Sequence, residues 1–366
     1  MRYADIEGLE KKDPFKKGII DLLKPTAKNL LKHRIRILPE SLGEPAALLD
    51  FLDEDFYLAF KTDGVGTKSL IADIMTTQIK KGQKFKGTIA SLYAGLGRDL
   101  IASNVNDLIC LGAKPIALSD EIATGDYKVF TDKEKMKGLF AGFKKGCQQA
   151  SITIPCGESP TLSDIINGSV ISITGSAIGI VRPKKEAIFG QKLKPGDMIF
   201  GLASNGIHTN GLSLARKIVE KLPEGYFTPF GRQTLGEALL RPTKIYVKPI
   251  LDMLDKGVEI HYMSNISGSA FKKIMRAKKE LTYVIEKLPR RPRILKYLQE
   301  LENIPDNEAY ETWNMGLGFV VFAPENQEEK IAKICRKYKV SFYNLGRVEK
   351  GPKKVIIKPL KITYIA

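Results

Sequence analysis

Lys61-Thr-Asp-Gly-Val-Gly-Thr-Lys68 puts a carboxylate, two glycines, hydroxyl groups and two ammonium groups into one short stretch. The apolar run just before it, Phe56-Tyr-Leu-Ala-Phe60, predicts a strand, and the amphipathic residues 69–80 after it predict a helix. Glycines let backbone N–H groups come close to an anion, and the start of a helix favours negative charge. Asp63 is therefore a candidate ligand for a divalent cation and Lys68 a candidate partner for phosphate. The same residues also read as a plain strand-to-helix turn with a solvated Asp and Lys.

Working outward, the first fifty residues are charged and irregular apart from a helical candidate at 15–31. Between 56 and 181, strands and helices alternate: helical apolar spacing at 89–111, a short strand at Ile116-Ala-Leu-Ser119, a Lys-rich helix at 133–150 and a β-branched strand at 169–181. Arg182-Pro-Lys-Lys-Glu186 interrupts this pattern, which sets the expected domains at 1–182 and 183–366. The second half restarts with the turn Lys194-Pro-Gly-Asp197, the strand Met198-Ile-Phe-Gly-Leu-Ala203, the polar turn Ser204-Asn-Gly-Ile-His-Thr-Asn-Gly211 and a helix at 212–222. Further strands are expected at 281–286, 316–323, 340–345 and 354–357. Mixed strands and helices in both halves give an α+β (mixed α/β) fold class.

A chain of 366 residues suggests two domains, and 43% hydrophobic with 27% charged residues is ordinary for a globular protein. No stretch is long and apolar enough for a membrane span, and the N-terminus lacks a signal-peptide pattern, so the expected location is cytoplasmic. Cys110, Cys147, Cys156 and Cys335 show no C-x-x-C spacing and read as free thiols in a reducing compartment. The net charge of +17 admits nucleic-acid binding, attraction of a polyphosphate ligand, or a bias toward Lys of the kind a hot environment favours. The lysines are scattered, and only Pro289-Arg-Arg-Pro-Arg293 is compact, without interleaved aromatics. That pattern favours the last two explanations over nucleic acid.

The phosphate loop G-x-x-x-x-G-K-[ST], the dinucleotide fingerprint G-x-G-x-x-G, H-E-x-x-H and G-x-S-x-G are all missing. Instead, acidic and amide residues recur at loop-like positions. Asn104-Val-Asn-Asp107 lies on an otherwise apolar segment, Asp120-Glu-Ile-Ala-Thr-Gly125 ends a strand with two carboxylates, and Gly157-Glu158-Ser159-Pro160 reads as a turn. Asp63, Asp107 and Glu158 together would form a hard, all-oxygen site suited to Mg²⁺; each also reads singly as a cap or surface residue. His208, among Asn205, Thr209 and Asn210, can exchange a proton beside anion-binding N–H groups, or the turn simply caps the next helix. His33 and His261 have no comparable surroundings.

In their order and spacing these motifs resemble the aminoimidazole ribonucleotide synthetase family, the phosphoribosylformylglycinamidine cyclo-ligases. The resemblance rests on Thr62-Asp-Gly-Val-Gly-Thr-Lys68, Val105-Asn-Asp-Leu108, Ala123-Thr-Gly125, His208-Thr-Asn-Gly211, Leu240-Arg-Pro-Thr-Lys-Ile-Tyr246, Trp313-Asn-Met-Gly-Leu-Gly318 and Gly346-Arg-Val348. Lys24-Pro25 is similar to the family's nucleotide-facing N-terminal lysine.

What the resemblance implies is an ATP- and Mg²⁺-dependent enzyme of purine synthesis acting on a ribonucleotide. It also implies a homodimer whose N-terminal sheets pair into a β-barrel, and a sandwich-like C-terminal domain. Catalytic roles fall on His208, Lys24 and Asp63; nucleotide contacts on Lys24, Asp63, Gly64, Gly66, Thr67, Lys68, Asn106, Asp107 and Asp120. Substrate contacts fall on Ser204, Asn205, His208, Thr209, Asn210, Ser267 and Gly268, and metal contacts on Asp63, Asp107 and Glu158.

Three stretches depart from the family pattern. Cys156-Gly-Glu-Ser-Pro-Thr-Leu-Ser163 stands for Gly-Gly-Glu-Thr-Ala-Glu-Met-Pro, and Asn265-Ile-Ser-Gly-Ser-Ala270 stands for a His-x-Thr-Gly-Gly-Gly loop. Glu40-Ser-Leu-Gly-Glu-Pro45 replaces a glycine-rich N-terminal stretch. Bulk at Ser269 and Ala270 restricts φ where backbone nears a ligand; these loops and the basic surface keep one alternative each open. One is a paralogue with another substrate, resembling selenophosphate synthetase, thiamine-monophosphate kinase or the hydrogenase maturation factors. The other is a non-catalytic basic nucleic-acid-binding or scaffold protein.

Overall fold

The structure is a computed structural model that describes residues 9–168 and 170–366. Every strand of its first sheet precedes residue 182 and every strand of its second follows it. The first sheet runs β1-β2-β3-β6-β4-β5, with β1 Ile35–Ile37, β2 Ala47–Phe51, β3 Tyr57–Gly64, β4 Lys114–Thr124, β5 Gly157–Glu158 and β6 Ile171–Val181. All its pairings are antiparallel except β4 with β5.

Period-2 alternation gives this sheet two faces. Ala59, Lys61 and Asp63 of β3 pair with Gly179, Ala177 and Gly175 of β6 on the face covered by helices. Leu58 and Phe60 pair with Ile180 and Ile178 on the opposite face. The helix Ile89–Leu108 lies on the covered face, opened by a capping box between Thr88 and Ser91. It packs tightly against Lys133–Ala150: a Cβ at Gly138 would sit 2.1 Å from the Ala90 carbonyl oxygen, and one at Gly142 2.4 Å from that of Ala94.

The second sheet has the order β10-β12-β7-β13-β11-β14-β15. Its strands are β7 Met198–Ala203, β10 Tyr262–Asn265, β11 Leu281–Ile285, β12 Leu317–Ala323, β13 Phe342–Lys350, β14 Lys354–Ile357 and β15 Ile362–Ile365. β12 is buried along its whole length, as its unbroken apolar run requires. A small hairpin, β8 Pro229–Phe230 with β9 Gln233–Thr234, stands apart. Among the described residues no helix is long and apolar enough to cross a membrane.

The helices expected at 69–80 and 133–150 form as Lys68–Lys80 and Lys133–Ala150. Four expectations change. The polar motif is not a turn from Lys61 onward: β3 continues to Gly64, because the small Gly175 and Ala177 opposite leave room for charged side chains. The short strand at 116–119 is the middle of the eleven-residue β4, so Asp120 and Glu121 lie within a strand. The N-terminal helix ends at Leu23 and gives way to a 3₁₀ turn, Lys24–Ala27, where Pro25 interrupts the α pattern. The irregular first fifty residues contain β1 and β2.

Candidate functional site

The first sheet and its helix meet the second unit in a cleft of about 230 Å³. Asp63, Gly64 and Gly66 enter it from the end of β3, and Ser103 and Asn106 from the long helix. His208, Thr209 and Asn210 come from the polar turn, and Asn265 to Ser267 from the end of β10. Eight of the sixteen residues expected to bind nucleotide or substrate thus share one space, although they come from stretches more than two hundred residues apart in sequence, whereas Ser204 and Asn205 line the cleft on the other side of the turn.

The acidic end is built on Lys61, to which sequence reasoning gave no role. Its Nζ lies 2.9 Å from Asp107 and 3.5 Å from Asp63. Burial works against the ammonium, but the two carboxylates outweigh it and hold Lys61 above its ordinary pKa. Asn265 donates to the other Asp107 oxygen at 2.8 Å, and the Gly64 N–H donates to Asp63 at 2.8 Å. Burial, together with the neighbouring Asp107, raises the Asp63 carboxyl. Lys273 borders the same group, and burial with Arg276 nearby brings its ammonium down to about 8.

Two carboxylates of the expected cation site meet. Asp63 and Asp107 are oxygen donors close enough to share one cation, and they share Lys61. Glu158 does not join them. It is aligned with Glu121, Thr174 and Gly64 across β5, β4, β6 and β3, three strand spacings or about 14 Å away. The three-carboxylate site is corrected accordingly, and among the described residues no cluster of three metal-ligating side chains exists. Asp120 is nearer: it flanks Gly175 on the face that carries Asp63, and burial raises its carboxyl.

The polar turn is held from behind. Asn314 donates to the carbonyls of Gly206 and Ile207 at 2.8 and 3.1 Å and accepts from Ser204 at 2.8 Å, while the Trp313 indole donates to Gly211. His208 is buried and has a left-handed φ of 64°. Asn205 Nδ2 donates to the Pro242 carbonyl, which turns its Oδ1 toward His208 Nε2 at 3.0 Å, so Nε2 carries the proton. Burial, with Lys68 and Lys244 nearby, depresses the His208 pKa to about 3. The imidazole is therefore neutral at pH 7. Gly318 makes room for it: a Cβ there would lie 1.8 Å from the Tyr246 hydroxyl and 3.1 Å from the His208 ring.

Several expected nucleotide contacts are engaged elsewhere. Lys68 is fully buried, 2.8 Å from Asp99, and donates to the Arg241 carbonyl at 2.8 Å. Asp99 also accepts from the Thr243 N–H and hydroxyl at 2.7 and 2.6 Å. Asn106 donates to the Lys244 carbonyl and accepts from the Tyr246 N–H. These bonds fasten the 240–246 motif to the long helix and join the two halves; Asp99, and Asn314 within the Trp313–Gly318 motif, are contributors to which the sequence reading gave no role. Thr67 caps the Lys68–Lys80 helix by position, without a side-chain hydrogen bond. Lys24 is exposed on its 3₁₀ turn, outside the cleft. Ser267 lines the cleft and Gly268 faces Asn210, and beyond them Ser269 and Ala270 adopt φ of 65° and 34°.

Residues 43–181 match the N-terminal domain, and 194–358 the C-terminal domain, of the family described as AIR synthase related protein. A phosphoribosylformylglycinamidine cyclo-ligase of Methanocaldococcus jannaschii is 39% identical over 332 residues, spanning 89% of this chain and 88% of that protein. One from Pyrococcus horikoshii is 38% identical over 95% of this chain and 94% of its own length. Among solved structures, the HypE–HypF complex aligns with a TM-score of 0.58 at 18% identity, over 88% of this chain and 92% of that one. AaThiL complexed with AMPPCP and TMP aligns with a TM-score of 0.56 at 17% identity, over 94% of each. At that identity these two speak for the fold. The two domain matches and the near-full-length relatives place the chain in the AIR synthase family, beside its phosphoribosylformylglycinamidine cyclo-ligases.

Proposed function

We infer that the protein is an ATP-dependent cyclo-ligase of purine synthesis, converting formylglycinamidine ribonucleotide to aminoimidazole ribonucleotide. The observation that carries this reading is the shared cleft, where Asp63 and Asn106 of one unit face His208, Asn210 and Ser267 of the other. The reaction transfers the γ-phosphoryl group of ATP to an amide oxygen, which makes that oxygen a leaving group. A nitrogen of the same substrate then attacks, and the ring closes with loss of phosphate.

Such chemistry asks for positioning and charge stabilisation, with no covalent enzyme intermediate. Asp63 and Asp107 would hold Mg²⁺, which neutralises phosphate charge when bound. Lys61 stands between them and balances part of their joint charge. Neutral His208, with Nε2–H committed to Asn205, offers Nδ1 to the substrate as an acceptor. Thr209, Asn210, Ser267 and Gly268 are the polar groups we assign to the ribonucleotide, with Ser204 and Asn205 supporting the turn from its other side through Asn314 and His208. Gly64 and Gly66 are assigned to the nucleotide phosphates, with Lys24 reaching them from its exposed turn.

The uncovered face of the first sheet supports a homodimer. Leu58, Phe60, Ile178 and Ile180 form a contiguous apolar patch there, with Phe60 46% exposed. A second copy of the same sheet would bury that patch isologously. Four free cysteines fit the reducing cytoplasm we assign.

ADP release with formylglycinamidine ribonucleotide present and absent tests the function. Release that depends on this substrate, with aminoimidazole ribonucleotide formed one for one, is expected. ADP release driven instead by thiamine monophosphate or selenide would transfer the chain to a paralogous activity.

A further inference from the structure

On the other side of the 204–211 turn lies a second, larger cleft of about 730 Å³, inside the range of small-molecule sites. Five arginines line it: Arg232 after the β8 hairpin strand, Arg241, and Arg290, Arg291 and Arg293 of the one compact basic motif in the chain. Among the described residues no Asp or Glu lines it. Of the five, only Arg291 has a carboxylate of the described residues within ion-pair distance, Asp306 at 3.7 Å.

The display is fixed rather than loose. Pro289 and Pro292 restrict the backbone on both sides of Arg290 and Arg291. The Arg290 carbonyl is seated against Gly316, where a Cβ would lie 2.4 Å from it and φ is 104°. Arg293 stacks over the Phe230 ring at 5.3 Å and Arg291 over Tyr310 at 5.6 Å. Ser204 and Asn205 line this cleft and not the Asp63–His208 one, and it backs onto the His208 site: Arg241 donates to the Asn205 carbonyl at 3.4 Å, and the Asn205 side chain holds His208.

Like charges gathered in a concave surface raise a strong positive potential, and guanidinium forks match phosphate oxygens two at a time. A lone phosphate needs one or two such forks; five spread around a cleft of this size match several phosphates. We propose that this cleft is a second binding site, separate from the Asp63–His208 cleft, for a small ligand carrying two or more phosphates. A nucleotide polyphosphate and inorganic polyphosphate both have this chemistry.

The test is isothermal titration of the full-length protein with sodium tripolyphosphate, and separately with ATP, at constant moderate salt. The triple variant Arg232→Ala, Arg290→Ala, Arg293→Ala alters exposed side chains, and its melting temperature checks that it folds. A lysine version of the same three changes keeps the charge and removes the fork. Expected is saturable tripolyphosphate binding in the parent, weakened tenfold or more by the alanine variant and less by the lysine variant. If the natural ligand is a nucleotide, ATP fills two sites per chain in the parent and one in the variant. If it is inorganic, ATP stoichiometry is unchanged while tripolyphosphate binding is lost; either result supports the site. Equal tripolyphosphate affinity in parent and alanine variant overturns it. So does tighter binding of a short RNA than of tripolyphosphate at matched charge, which would make the arginines a nucleic-acid surface.

Discussion

His208→Asn should remove a specific pH dependence from the stability of the fold. The imidazole is buried, and its pKa falls from 6.5 to about 3 because burial and two neighbouring lysines disfavour the charged ring. The folded state thus refuses a proton that the unfolded chain accepts near pH 6.5. This contribution is fully present above 6.5 and is lost as the pH falls toward 3. At about 1.4 kcal/mol per pH unit, the whole interval is worth on the order of 5 kcal/mol, and the step from pH 7 to pH 4.5 about 2.5 kcal/mol. Asparagine removes the titration and tolerates the left-handed backbone at this position. Urea unfolding of parent and variant at pH 7 and pH 4.5 isolates the effect, since all other titrating groups are common to both. The parent should lose about 2.5 kcal/mol more than the variant over that step. Equal losses, or an imidazole NMR titration of His208 centred near 6.5, would refute a neutral, desolvated histidine and with it the acceptor role assigned to Nδ1.

Other expectations follow from single contacts. Lys68→Met leaves Asp99 buried without its cation and should cost about 3–5 kcal/mol in urea unfolding; adding Asp99→Asn should recover much of it, and a cost below about 1 kcal/mol would deny the pair its role in joining the two halves. Ser269→Gly relieves a left-handed non-glycine residue, so a net gain of about 0.5–1 kcal/mol is expected after glycine's entropy cost; a lower urea midpoint would contradict it. Phe60→Lys places a charge in the exposed apolar patch, and sedimentation should show the protein shifting from dimer to monomer; an unchanged sedimentation coefficient would rule this face out as the dimer contact.

Features with a local cause were legible in the sequence. The turn at 204–211 could be read because its amides, glycines and histidine stand between a clean strand and a helix, and β7 forms as Met198–Ala203. The Lys133–Ala150 helix follows its apolar period and its Asp132 cap. What stayed hidden depended on partners distant in sequence. Lys68 has the composition of a phosphate ligand, and nothing near it names Asp99, which turns the ammonium inward. Lys61 and Asp63 look like turn residues until Ala177 and Gly175 appear opposite them. Asn106 reads as a ligand contact on a helix face, but its amide is used on the backbone of residues 244 and 246.

The carboxylates show the same limit most directly. In sequence, Asp63, Asp107 and Glu158 are equivalent acids in motif-like settings. Pairing geometry decides between them: Asp107 sits on the helix crossing the end of β3 and meets Asp63 through a shared lysine, whereas Glu158 is carried to the far edge of the sheet by two intervening strands. The local sequence states which groups can bind a cation, and the register of the sheet states which of them can bind the same one.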